Sequence, residues 1–230
     1  MTEAEWLEAM PDTSGMIDCL FNLRPQPSRR KIRLCMAAFC RAIWHVMTDE
    51  RCRHAVEVAE RFADNLAAKA DLKAVIEALP KKRRDYSAMY KTAPYDAALS
   101  CATRKEQFLF ASLSQVCALT VMALENGSHG PQTAPAHVER QAELIRDLFG
   151  NPFRPITVAP TIRTPTNVSL ARAAYDERQL PSGELDAPRL SVLADALEEA
   201  GAPPELVEHL RLPGPHVRGC HVVDLCLGLS

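Results

Sequence analysis

Ile32, Cys35, Met36, Phe39, Ile43, Val46 and Met47 recur at intervals of one, three and four residues. A helical turn of 3.6 residues gathers such a series onto one face, whereas a strand, alternating every second residue, would scatter it. Ser28 precedes the series as a predicted N-cap, so a helix runs from there to about Met47, with Arg33, Arg41 and His45 away from the centre of its apolar face. Thr48 is placed as the next N-cap, with Asp49 and Glu50 in the first turn, where the helix dipole favours carboxylates. The following helix, to about Leu66, collects Cys52, Ala55, Ala59, Phe62, Ala63 and Leu66 on one face and Arg53, His54, Glu57, Glu60, Arg61 and Asp64 on the other. Two such helices joined by a very short turn form an antiparallel hairpin.

The same period runs through most of the chain, and the predicted class is all-α. A helix over about Asp71–Leu79 stops at Pro80, and a short helical piece follows near Asp85–Lys91. The next helix, about Ala97–Glu125, is broken near Thr103, and its second half is apolar nearly all round, as a central buried helix would be. A further helix over Ala136–Phe149 is closed by Gly150 and Pro152. Pro152, Pro155, Pro160 and Pro165 exclude helix from the segment that follows and predict an extended strap. Short helices near Ser169–Arg178, Arg189–Ala200 and Pro204–Leu210 precede a terminal helix that starts after Pro215. The expected organisation is a helical bundle over 1–149, a Pro-rich strap over 150–166, and a small helical C-terminal part over 167–230 packed on the bundle.

A 47% hydrophobic content supplies ample core for 230 residues, and a net charge of -2 argues against a generally nucleic-acid-binding surface. The first residues are acidic and lack an apolar stretch, so no signal peptide is expected. The longest apolar runs, near Leu34–Cys40 and Val116–Leu124, fall short of the ~20 residues that span a bilayer. Eight cysteines, most at apolar helix positions and none in a CxxC pair, read as reduced buried thiols of a cytoplasmic protein.

The stretch from Asp186 to Gly201, DAPRLSVLADALEEAG, resembles a short helical module of large bacterial paralogous families, the "repeat-companion" type. The pattern there reads roughly D-D-A-P-R-L followed by A-D-x-L-E-E-x-G, with one extra residue here between Leu190 and Ala194. Met1–Trp6, the Arg30–Glu60 hairpin, the run from Phe149 to Pro155, Tyr175–Arg178 and the run from Gly214 to Cys220 resemble an uncharacterised bacterial family. The resemblance covers roughly 1–65 and 140–230. It implies a helical, soluble bacterial protein and carries over no catalytic residue.

Reactive side chains fall at regular spacing in one place. His216, Cys220 and Asp224 recur every four residues near the C-terminus, and a helix would set them along one edge. Imidazole and thiolate one turn apart could supply two ligands to Zn²⁺, with Asp224 as a third ligand or as the group that orients the imidazole. The remaining ligands would come from elsewhere, for example His209, His45 or Cys40. The competing reading is a packed terminal helix, because Gly219, Cys220, Val222, Val223, Cys226 and Leu227 already make an apolar face. A nucleophilic Cys220 beside His216 and His221 is a third possibility.

Lys81, Lys82, Arg83 and Arg84, flanked by Tyr86, Tyr90 and Tyr95, could contact phosphates and stack bases; Arg24, Arg29, Arg30, Lys31 and Arg33 form a second basic group. Such runs are more commonly solvated loops. Tyr175–Arg178 and Asp195, Glu198 and Glu199 read as helix-surface charge. No Gly-rich phosphate loop, HExxH, GxSxG or EF-hand loop is present.

The function expected from this sequence is a non-enzymatic protein-interaction or regulatory module of a bacterial cytoplasmic system, with another protein as partner, no membrane and no cofactor. The alternatives are a metal- or cysteine-dependent site around His216 and Cys220, with zinc as the ion, and a nucleic-acid-associated helical protein.

Overall fold

In the computed structural model the described residues are 1–8, 12–79, 89–104, 106–125 and 133–229. Among them are twelve helices and no named strand, an all-α multi-helix bundle. They are α1 Glu3–Leu7, α2 Thr13–Asn22, α3 Arg29–Ala42, α4 Glu50–Ala63, α5 Lys69–Ala78, α6 Met89–Cys101, α7 Leu109–Glu125, α8 Thr133–Phe149, α9 Pro165–Asp176, α10 Ala187–Glu199, α11 Pro204–Arg211 and α12 His221–Leu227. The chain divides into two compact units, Met1–Ala142 and Glu143–Ser230, the boundary falling inside α8 rather than after it.

In the N-terminal unit, α3 packs against α4, α6 and α7. Ser28 caps it by accepting from the Lys31 N–H, as expected. The cap of α4 is Asp49, one residue beyond the predicted Thr48; its carboxylate accepts from the Arg51 N–H. The predicted break near Thr103 separates α6 from a 3₁₀ turn, Glu106–Phe108, which leads into α7.

Neighbours on several sides bury α3 beyond its apolar face. Arg33 and Arg41, expected away from the centre of that face, are buried, and so is Glu60 of α4. Arg41 and Glu60 form a two-pronged ion pair, Nε to Oε1 at 2.6 Å and Nη2 to Oε2 at 2.7 Å. Burial opposes the Arg41 charge, and the Glu60 carboxylate overrides it, holding the guanidinium pKa above its ordinary value. Arg33 donates to the carbonyls of Cys101 and Thr103, closing the gap between α6 and α7.

One helical run among the described residues, Glu106–Glu125, is long and apolar enough to cross a membrane by length and composition, and half of that window is buried. It is the helix expected to be buried all round. Instead Leu109, Leu113, Val116, Cys117, Thr120, Ala123 and Leu124 face inward, while Ala111, Ser114, Gln115 and Ala118 are exposed.

A polar network crosses the buried side of α7. Gln141 donates to the Cys117 carbonyl at 2.9 Å and to Thr120 Oγ1 at 2.8 Å, and its amide nitrogen lies 3.3 Å from His137 Nε2. Burial, then the charges of His45 and Arg140, lower the His137 pKa to about 4. The unfolded chain, with an ordinary imidazole pKa of about 6.5, therefore takes the proton first. The contribution of neutral His137 is complete above about pH 6.5 and is lost as pH falls toward 4, roughly 3 kcal/mol in all. Urea midpoints measured between pH 7 and 4 should fall accordingly, and the fall should be smaller in His137→Gln; an unchanged pH dependence in that variant would contradict the assignment.

The C-terminal unit has its own core. α10 packs on α9 and α11, and α12 packs on α9 and α11. Ile162 of the Pro-rich strap lies in this core, and Ile156 and Val158 pack against it. Proline breaks the helix there, as predicted, and the strap's apolar side chains keep it on the unit rather than free in solvent.

The terminal helix departs from expectation. It starts at His221, not after Pro215, because residues 212–220 are held in non-helical pairings: the Leu185 N–H donates to the His216 carbonyl at 2.8 Å, and Glu184 and Val217 form an antiparallel bridge. His216, Cys220 and Asp224 therefore do not share a helical edge.

All eight cysteines are unbridged, and seven are buried. Their burial matches the expected packing of these cysteines as small apolar side chains.

Candidate metal centre

Three segments of the C-terminal unit bring titratable side chains to one point. The first is the end of α8. Asp147 lies three residues after Leu144, in phase with the helix's buried face, and is itself buried. The helix stops at Gly150, whose N–H donates to the Arg146 carbonyl at 2.8 Å and whose φ is 67°. A Cβ at Gly150 would also meet the His221 ring at 3.1 Å, so glycine is required by conformation and by space.

The second segment is α11. It buries Leu206, Val207 and Leu210 in the core, which leaves His209 on its flank, facing Asp147. The third is the turn 212–220. Gly214, at φ 92°, precedes a cis bond to Pro215 and bends the chain so sharply that a Cβ there would lie 2.9 Å from the His216 nitrogen. This delivers His216 to Asp147 and leaves Cys220 at the N-cap of α12.

The donor atoms of Asp147, His209, His216 and Cys220 all lie within 4.8 Å of one another. Asp147 Oδ1 is 2.8 Å from His216 Nδ1 and 3.0 Å from His209 Nε2; Cys220 Sγ is 3.5 Å from the same His209 nitrogen. With Zn–N and Zn–O near 2.0–2.1 Å and Zn–S near 2.3 Å, a tetrahedral site has edges of about 3.3 Å between N or O donors and about 3.6 Å between N and S. The sulfur edge fits, the two carboxylate edges need to open by about 0.3 to 0.5 Å, and the wider separations, which extend to 4.8 Å, need to close around an ion.

The groups around these donors fix their orientation. His216 Nε2 donates to the Leu212 carbonyl at 3.1 Å, which turns Nδ1 toward the cluster. Asp147 Oδ2 accepts the Val217 N–H at 2.9 Å, and the Asp147 carbonyl accepts from His221 Nδ1 at 2.9 Å. The His209 ring sits edge-on to His216 and tilted over His221, with centroids 4.8 and 4.3 Å apart.

Burial alone would raise the Asp147 pKa, but the hydrogen bonds and charges of His209 and His216 hold it well below the usual carboxylate range. Burial disfavours the His216 cation, and Asp147 reverses that, raising its pKa. The Cys220 thiol is pushed well above its ordinary value by burial and then by the Asp147 charge, although the Val222 and Val223 N–H groups favour its thiolate. A free nucleophile is disfavoured there, whereas a cation that neutralises Asp147 would displace the thiol proton.

His216 and Cys220, two of the three residues picked from sequence, thus lie together, and His209, named as a possible further ligand, joins them. Asp224 does not. Its Oδ1 accepts from the Tyr175 hydroxyl at 2.7 Å, and the Tyr175 hydroxyl oxygen in turn accepts the Gly219 N–H at 3.1 Å, fastening α12 to α9. His45 and Cys40 belong to the N-terminal unit, where Cys40 meets Cys101 and the charge of His45 acts on His137. Asp147 was missed; its one signal was a carboxylate in phase with an apolar face.

Lys81, Lys82, Arg83 and Arg84 lie outside the described residues. The second basic group is engaged within the N-terminal unit: Arg29 pairs with Glu106, Arg30 with Asp64, and Arg33 with backbone carbonyls. Arg211 bridges Asp195 and Glu198, and Arg189 pairs with Glu177, so these carboxylates are tied up in surface ion pairs.

No family model, curated protein or solved structure matches this chain.

Proposed function

We propose that the C-terminal unit is a zinc-clasped, non-enzymatic module, with one Zn²⁺ held by Asp147, His209, His216 and Cys220. The observation that carries this reading is the convergence of two imidazoles, a thiol and a carboxylate within 4.8 Å. Borderline-soft Zn²⁺ favours this donor set in a tetrahedron. Four protein ligands complete the shell, so no position is left for a substrate or a reactive water, and the ion's role is structural rather than catalytic. A closed shell of this kind supports the function expected from the sequence, an interaction module that binds another protein, in that the ion itself offers no catalytic position.

A cysteine nucleophile at Cys220 is the weaker reading, because the residue is fully buried and its thiol pKa is raised. Elemental analysis of the purified full chain tests the proposal. Stoichiometric zinc is expected, falling to a small fraction in Cys220→Ser and His216→Ala and unchanged in Asp224→Asn. Wild-type protein that contains no zinc and takes none up from a stoichiometric addition contradicts it.

A further inference from the structure

We propose that the clasp is exchangeable: the C-terminal unit keeps its helical fold when the ion leaves, and zinc occupancy sets the order of the segment 212–220. This rests on the metal reading above and adds a regulatory property to it.

The first support is the size of the core. Sixteen buried residues among those described form it, and of these only Cys220 also supplies a donor atom. Small zinc domains unfold without their ion because they lack such a core. Here burial of Leu190, Leu193, Leu197, Leu206 and Leu210 joins α10 to α11 without any ligand.

The second support is that the end of α8 and the turn 212–220 are fastened by atoms the ion would not use. The Val217 N–H holds Asp147 Oδ2, His221 Nδ1 holds the Asp147 carbonyl, and His216 Nε2 holds the Leu212 carbonyl. The Tyr175 hydroxyl anchors Gly219, the residue before Cys220, to α9. These bonds hold the end of α8, the turn 212–220 and the start of α12 in register. These bonds keep the three segments close together, so release of the ion does not require the helices to unfold. Of the donor-bearing segments, the turn 212–220 is the one outside a helix, and its bonds to the end of α8 run to Asp147, itself a ligand. The ion's loss is felt there first.

Hydrogen exchange on the full chain tests this, comparing protein loaded with Zn²⁺, dialysed against a chelator, and reloaded. In the chelated protein α9, α10 and α11 should keep their protection while 212–220 loses it. Zinc returned at ten times its dissociation constant should slow exchange in 212–220 about tenfold. Loss of protection across the whole of 165–227 on chelation overturns the exchangeable clasp while leaving the metal site standing. A chelated protein that stays protected and takes up no zinc overturns both.

Discussion

Asp147→Ala is expected to abolish zinc retention and to destabilise the C-terminal unit by about 3–5 kcal/mol, the usual cost of removing one partner from a buried charged pair. Asp147 is buried, and its carboxylate is the common partner of His209, His216 and the Val217 N–H. Removing it leaves the His216 imidazole without its counter-charge and a buried backbone N–H without an acceptor. Asp147→Asn separates the two effects. The amide keeps the volume and can still accept one hydrogen bond, so more of the stability should survive, but a neutral amide is a poor zinc ligand and the metal should still be lost. Urea-dependent hydrogen exchange in α9–α12 reads the stability, and elemental analysis reads the ion. An alanine variant as stable and as zinc-rich as the parent contradicts the role given to this residue.

In the N-terminal unit, Glu60→Ala should cost a similar amount, about 3–5 kcal/mol, by stranding the Arg41 guanidinium between α3 and α4. The pair itself contributes far less than that, because burying two charges offsets most of their attraction. The double variant Arg41→Met, Glu60→Leu should therefore recover most of the loss, its apolar side chains replacing the pair at similar volume. Urea unfolding of the single and double variants tests both statements. A loss below about 1 kcal/mol in Glu60→Ala would mean that the pair behaves as an exposed one.

Much of the fold was legible because local chemistry set it. Ser28 starts α3, Gly150 ends α8, and the apolar series from Ile32 to Met47 places α3 against its neighbours. Misreadings arose where distant segments decide. Arg41 and Glu60 sit off the apolar stripes of their helices, yet they pair with each other where α3 meets α4, and helical periodicity carries no information about a partner helix. Pro215 suggests a helix start, but the chain uses it in a turn pinned by Leu185 and Glu184. The four-residue spacing of His216, Cys220 and Asp224 therefore had no helical meaning. His216 and Cys220 meet through the turn and the α12 cap, and Asp224 is drawn to Tyr175 instead. Asp147 comes from about seventy residues earlier in the chain, as its hydrogen bond to Val217 shows, a separation no local pattern could bridge.

If Asp147, His209, His216 and Cys220 enclose one ion, that ion is tetrahedral with a single thiolate ligand. Titrating metal-free full-length protein with Co²⁺ tests it most directly, because tetrahedral Co²⁺ absorbs strongly in the visible and a thiolate ligand adds a charge-transfer band in the near ultraviolet. Both features should saturate at stoichiometric Co²⁺ and be displaced by Zn²⁺, and the charge-transfer band should be lost in Cys220→Ser. A weak octahedral spectrum identical in the parent and in Cys220→Ser would contradict it.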